Sequence, residues 1–218
     1  MSTLPPTLMD DYRERLAIPG PRDGGPNDIK DEMPYLLGRA EAYPGVRALE
    51  IGVRSGNSTS AFLAACSRAA GGGHLWSVDM ETPQVPPRWY GCGYWTFARS
   101  RSQDLLPETL GWPLSYHVLF IDGDHSRAGA LADLRRFVPY VAPGGVVLVH
   151  DTKLFNPSEV GMPREVALAL DDFCGESAVI LPSVVSAGGL PASGGVRRLS
   201  WAERGGHYGL GVIEAPNG

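Results

Sequence analysis

The chain has 218 residues, of which 43% are hydrophobic, enough to bury one sizeable core. Its 19 Lys and Arg residues stand against 24 Asp and Glu, a formal charge of −5. No basic run is present, which argues against a nucleic-acid groove or a polybasic membrane patch. Cys66, Cys92 and Cys174 are widely spaced, so a disulfide framework or a cysteine zinc site is a poor fit. The N-terminal residues carry acids where a signal peptide needs an apolar stretch, and no run reaches the roughly 18 apolar residues of a spanning helix. A soluble, cytoplasmic protein is the expectation.

Residues 1–27 are broken up by Pro5, Pro6, Pro19, Pro21 and Pro26 with Gly20, Gly24 and Gly25. They read as a loose N-terminal arm around one short helical segment at about 7–17. Residues 28–218 read as a single domain. Within it, a helix is expected over 29–43, ending at Tyr43-Pro44-Gly45. Strand 46–51, helix 57–69 and strand 74–79 follow, then a long irregular segment over 80–95. Strand 116–121, helix 126–138, strand 145–149 and helix 163–173 continue the alternation. Shorter β-like runs come at 178–181, 196–201 and 208–214, with a Gly/Ser-rich loop at 183–195. Strands alternating with helices predict a doubly wound α/β sheet, parallel over most of its width, with apolar strands buried on both faces. The late β-runs, lacking helices between them, predict an antiparallel edge hairpin.

The first strand runs into Glu50-Ile-Gly52-Val-Arg54-Ser-Gly56, then Asn57-Ser58-Thr59. A triphosphate loop of the Walker type requires a lysine that is missing here. A dinucleotide turn prefers a glycine where Arg54 stands. Glu50 would repel phosphate and welcome an ammonium group. S-adenosylmethionine (SAM) carries an ammonium, a carboxylate and a sulfonium but no phosphate. The glycines would let backbone approach its methionine end, and the helix start after Gly56 favours a carboxylate. Asp79, at the end of the second strand, can accept both ribose hydroxyls. The competing reading is a tight strand-to-helix turn with an incidental acid.

A second constellation lies at the ends of the next strands. Asp122, Asp124 and His125 follow Val118–Ile121, and His150-Asp151 follows the strand at 145–149. In an open α/β sheet, ligands bind outside the carboxyl ends of the strands. Asp122, His150 and Asp151 could make an oxygen/imidazole site for a hard divalent ion such as Mg²⁺, which would hold a substrate hydroxyl and lower its pKa. His125 could take the proton. Against this, Asp124 could cap the helix beginning near Ser126, and His150 could be a hydrogen-bonded neighbour of the site. His74, His117 and His207 have no acidic partners in sequence and read as structural.

Glu50-Ile-Gly-Val-Arg-Ser-Gly, Asp79, Ile121-Asp-Gly-Asp-His-Ser, the Pro143-Gly-Gly turn and His150-Asp-Thr together resemble class I SAM-dependent methyltransferases. More narrowly, they are similar to the branch with macrocin-type sugar O-methyltransferases and cephalosporin-hydroxylase-like proteins, over about residues 44–175. The resemblance implies a seven-stranded Rossmann-like sheet in the order 3-2-1-4-5-7-6, with Asp122 and Asp151 as metal ligands and His125 as base. His150 departs from the branch, which often carries Asp or Glu there. The resemblance also sets Ser102, Gln103 and Asp104 near the adenine. The candidate cofactor-binding residues are therefore Glu50, Gly52, Gly56, Ser58, Asp79, Ser102 and Asp122, with catalysis assigned to His125 and Asp122.

Residues 83–97 concentrate Trp89, Tyr90, Tyr94, Trp95 and Phe97 in a Pro/Gly-rich insertion. Such aromatic faces suit a sugar ring or planar acceptor, or they pack against one another in an ordered loop. Residues 152–164 could wall or cover the acceptor. The function expected is O-methylation of a saccharide or glycosylated natural product, in an actinobacterial-type polysaccharide or antibiotic pathway. A catechol or phenol acceptor is the near alternative, and a nicotinamide-dependent oxidoreductase the alternative of another class. A non-catalytic SAM-binding protein is a third reading. Homodimerisation through the N-terminal arm is also an expectation.

Overall fold

The structure is a computed structural model that describes residues 7–153, 164–176, 179–180, 196–197, 199–204 and 208–217. Its helices are α1 (Leu8–Ala17), α2 (Met33–Glu41), α3 (Asn57–Arg68), α4 (Arg127–Phe137) and α5 (Glu165–Gly175). Its strands are β1 (Arg47–Ile51), β2 (His74–Asp79), β3 (Trp95–Arg99), β4 (Tyr116–Ile121), β5 (Val141–His150), β6 (Val179–Ile180), β7 (Val196–Arg197), β8 (Trp201–Arg204) and β9 (Leu210–Glu214).

Successive strand side chains point to opposite faces, and here both faces are apolar. Along β4, Val118 and Phe120 join one buried cluster while Leu119 and Ile121 join the other. The first cluster is covered by α1, α2 and α3, through Tyr12, Met33, Leu36 and Phe62. The second is covered by α4 and α5, through Leu134, Phe137, Leu170 and Phe173. The main sheet runs β3-β2-β1-β4-β5-β9-β8, so its own strands lie in the order 3-2-1-4-5-7-6, as expected. β1 to β5 are parallel, β9 runs antiparallel to β5 with Val147 opposite Ile213, and β8 returns antiparallel to β9.

Three local expectations are corrected. The aromatic stretch ends in a strand, β3, which pairs with β2 through Ser77 opposite Phe97. The run at 196–201 is divided: Val196–Arg197 pairs with Val179–Ile180 in a separate ribbon, and the sheet edge is Trp201–Arg204. β5 begins before the Pro143-Gly-Gly turn, with Val141 opposite Tyr116 and a register irregularity before Val118.

The N-terminal segment is also not loose over 7–27. Thr7 and Asp10 form a reciprocal capping box that starts α1. α1 packs on α3, and its Asp11 accepts the indole N–H of Trp89 at 2.7 Å. Asn27 is buried and its amide donates to Arg15 O at 2.9 Å. The prolines and glycines shape turns of a segment that is held by polar contacts at both ends. Among the described residues, no helix is long and apolar enough to cross a membrane.

Candidate active site

β1, β2 and β4 end side by side, and their C-terminal edge forms one rim of a cleft of about 410 Å³. The glycine turn, Asp79–Met80, Ser100–Gln103, Asp122–His125 and Asp28 line it. Gly52 must be glycine because its φ is 92° and an added Cβ would stand 2.1 Å from the Asp122 carbonyl oxygen. That tight approach brings Asp122 to the turn. Asp79 Oδ2 accepts the backbone N–H groups of Val53 and Arg54 at 2.8 and 2.9 Å, and Oδ1 accepts that of Glu81 at 2.9 Å. The carboxylate is thus a staple for the turn and also part of the cleft lining. Arg54 holds a left-handed φ of 50°, and its guanidinium pairs with Asp28 at 2.6 Å across the lining.

Glu50 lies elsewhere. It is fully buried and absent from the cleft lining, and it accepts the hydroxyls of Ser58 at 2.7 Å, Thr59 at 2.9 Å and Ser77 at 2.7 Å. Burial pushes its carboxyl up to about 7, against the pull of those three hydroxyls. Ser58 is spent on this buried node, and Gly56 faces the aromatic loop: a Cβ there would meet Val85 at 2.5 Å and Trp89 at 2.8 Å. These three predicted cofactor residues support the turn from behind.

Beside the turn, Asp122, His125 and Asp151 bring one ligating atom each to within 4.8 Å of one another, and the first two of them line the cleft. His125 Nε2 lies 3.0 Å from Asp151 Oδ2 and 3.5 Å from Asp122 Oδ1. Hydrogen bonds to Asp122 and Asp151 raise the half-exposed imidazole to about 10, against its partial burial. Burial works to raise Asp122 and Asp151, but His150 and His125 hold both carboxyls below the ordinary value. Asp151 adopts a left-handed φ of 63°, a conformation that Asp tolerates better than most residues and that recurs at functional sites.

His150 stands behind this group. Its Nδ1 faces Asp122 Oδ1 at 3.2 Å and Asp151 Oδ1 at 3.4 Å, so it braces both carboxylates as their hydrogen-bonded neighbour. Its Nε2 is buried with no partner among the described residues. Burial works to lower its pKa, but Asp122 and Asp151 raise it well above the ordinary value. Glu32 is buried with neither oxygen hydrogen-bonded among the described residues; burial pushes it up to about 7, with His150 pulling it down.

Ser102 and Gln103 line the cleft and Asp104 does not. Asp124 accepts the Ser126 N–H at 2.9 Å while Ser126 itself caps α4, so the cap is one residue pair and not Asp124 alone. The aromatic residues pack on one another: Trp95 meets Trp89, Tyr90 and Phe97 at centroid distances of 6.1, 4.9 and 5.7 Å. None lines the cleft, which favours the ordered-loop reading. His74 bonds Thr96 at 2.8 Å and His117 accepts Arg47 N–H at 3.1 Å, both off the cleft. Residues 154–163, the loop at 183–195 and His207 lie outside the described residues.

Asp28, in the cleft lining, and Asp133, bonded to Ser102 of that lining, belong to no motif in the sequence. Asp28 sits in a turn with no periodicity to mark it. Asp133 had a signal: it shares the helical stripe of Ala130, Leu134 and Phe137, where an acid is out of place.

Residues 49–152 match the profile of a family described as a methyltransferase domain. No curated protein matches the chain. A protein from Corynebacterium glutamicum superposes with a TM-score of 0.63 at 17% identity, over 100% of this chain and 93% of that one. The O-methyltransferase from Bacillus cereus, in complex with SAH, gives 0.55 at 13% identity, over 97% of this chain and 92% of that one. MycE methyltransferase from the mycinamycin biosynthetic pathway, in complex with Mg, SAH and mycinamycin VI, gives 0.56 at 16% identity, over 97% of this chain and 54% of that one. The chain spans about half the length of the MycE chains it matches. The sheet order and these superpositions make the fold that of the Rossmann-like methyltransferases.

Proposed function

We propose that the chain is a SAM-dependent O-methyltransferase assisted by a divalent cation, Mg²⁺ by its donor set. The observation that carries this reading is one cleft lined both by the glycine turn and by Asp122 and His125, the two members of the Asp122–His125–Asp151 cluster that face it. Its volume of about 410 Å³ falls in the range of small-molecule sites. Bound there, SAM would supply an electrophilic methyl group. Gly52, Val53, Asp79 and Ser102 would hold it, since they line the cleft. Asp122 and Asp151 offer hard carboxylate oxygens suited to Mg²⁺, whose chemistry is to acidify a bound hydroxyl.

The chain's own part is proton handling and positioning. A base must begin neutral, yet the two carboxylates keep His125 protonated up to about 10. Proton acceptance at Nε2 therefore requires that the charge of Asp122 and Asp151 be engaged elsewhere. His150 holds those carboxylates in place through Nδ1. The acceptor in this reading is a hydroxyl of a saccharide or glycosylated natural product, supported by the Ile121-Asp-Gly-Asp-His-Ser and His150-Asp-Thr resemblance and by the likeness to MycE. A catechol is the second candidate.

Thermal shift with SAM, S-adenosylhomocysteine (SAH) and NAD, with Mg²⁺ or EDTA, tests the cofactor. Stabilisation by NAD and by neither SAM nor SAH would overturn the reading in favour of an oxidoreductase. Labelled-methyl transfer to saccharide and catechol panels then separates the acceptors, and transfer unaffected by exhaustive chelation would remove the cation.

A further inference from the structure

Side chains alternate along β5, so His150 points the same way as Val146 and Leu148, into the cluster that α2 covers. Its cross-strand neighbour Leu210 belongs to that cluster too, with Met33 and Leu36 of α2. Further along the same row, Arg204 lies opposite Leu210 and holds its guanidinium 4.1 Å from the centroid of the Tyr35 ring. The first turn of α2 therefore stands over the row of residues that contains His150.

Glu32 begins that helix. Its side chain makes no capping bond, is 2% exposed, and has no partner for either oxygen among the described residues. His150 is equally buried, and its Nε2 is the atom left without a partner there. The two groups feel one another: burial pushes the Glu32 carboxyl up, and His150 pulls it back. Buried polar groups that no protein atom serves are costly, and internal water held between polar partners completes them. An imidazole turns about only two side-chain bonds, so holding one nitrogen fixes where the other points. The other nitrogen here is Nδ1, which faces Asp122 and Asp151.

We propose that Glu32 is a positioning residue of the site: through internal water it holds Nε2 of His150, and so aims Nδ1 at Asp122 and Asp151. This role rests on the divalent-cation reading and extends it to a residue of another element, remote in sequence from both carboxylates.

Urea melts of the full chain without cation test the link. Glu32→Met should lower the midpoint, because it strands Nε2 in the core. In a His150→Phe background the same change should raise the midpoint, because it removes an acid that has lost its partner. A rise in both backgrounds would mark Glu32 as idle and overturn the proposal. Mn²⁺ binding, followed by electron paramagnetic resonance, tests the consequence. Glu32→Met should weaken it by at least about tenfold, as loss of a supporting hydrogen bond does at metal sites. SAH affinity measured without cation should be unchanged, whereas a general loosening of the fold would weaken both. Glu32→Gln keeps a hydrogen-bonding group and should keep Mn²⁺ affinity. Unchanged Mn²⁺ affinity in Glu32→Met would overturn the proposal while the cation reading stands. Wild type that takes up no Mn²⁺ overturns the cation reading and this role with it. Where Glu32→Met or His150→Phe does not fold, Glu32→Asp decides: its shorter side chain caps α2 instead, so Mn²⁺ should weaken, and unchanged affinity overturns the proposal.

Discussion

His125 Nε2 stands 3.0 Å from Asp151 Oδ2, and Asp122 Oδ1 approaches the same nitrogen at 3.5 Å. One imidazole nitrogen is therefore shared by carboxylates from two strand ends. Removing a carboxylate charge makes the imidazolium less favourable, so Asp151→Asn should lower the His125 pKa from about 10 by roughly 1–3 units. Imidazole NMR titration of metal-free protein measures it. An unmoved titration would show that the contact does not govern the charge.

His125→Ala should lower methyl transfer by roughly 10²–10⁴-fold, the usual contribution of a positioned base. SAH affinity should stay within a small factor, because the loss concerns the proton and not the donor. Single-turnover kinetics with labelled SAM separates the two, and a full-rate variant would remove His125 from the chemistry.

Glu50 ties stability to pH. Its folded-state pKa of about 7 lies above the ordinary 4.5, so between those values the native state holds a proton that the unfolded chain has released. Its stabilising contribution is complete below pH 4.5 and is lost as pH rises through about 7. Glu50→Gln should remove that slope and gain on the order of 2 kcal/mol at pH 8 relative to pH 5. The Ser58, Thr59 and Ser77 hydroxyls can turn to serve the amide. Urea melts at the two pH values check it; a slope that survives the substitution would place the linkage elsewhere.

Gly52→Ala meets two obstacles at once, a φ of 92° and the Asp122 carbonyl 2.1 Å from the new methyl group. Neither neighbour can yield, since Asp122 N–H bonds Ile51 O at 2.8 Å and Gly52 N–H bonds Val78 O at 2.8 Å. The expected loss is about 3 kcal/mol or more. A variant with wild-type stability in urea would contradict this geometry.

Asp11→Ala should cost about 1–3 kcal/mol, because it leaves the buried Trp89 indole N–H without its acceptor at 2.7 Å. It also releases Arg88, which pairs with the same carboxylate. Chemical denaturation measures the loss, and Trp89→Phe in the same background should recover part of it by removing the orphaned donor.

Much of the fold could be read from the sequence because each central strand announces itself as an apolar run with a polar end. Val118–Ile121 ending at Asp122 is the clearest case. β3 could not be read this way. Trp95–Arg99 is short, aromatic and half-buried at the sheet edge, so neither alternation nor a continuous apolar run marks it. The N-terminal segment is hard to read for a related reason. Composition registers its prolines and glycines but not the buried Asp11–Trp89 bond, whose partners lie 78 residues apart.

The sequence by itself determined the chemistry available: acids and histidines at strand ends, a glycine turn without a lysine, and an alternation that forces those ends to one edge. Strand polarity alone puts Glu50, Asp79, Asp122 and Asp151 at that edge, since parallel strands end together. Only the tertiary structure decided what each group does there. The pleat sends Glu50 to the face covered by α3, where Ser58, Thr59 and Ser77 enclose it, while Asp79 faces the cleft. The same geometry sets His150 behind the carboxylates and His125 between them. Side-chain direction at a strand end depends on register and on the backbone angles of the next residue, such as Asp151 at φ 63°. Those are properties of packed neighbours and not of a residue's place in the chain.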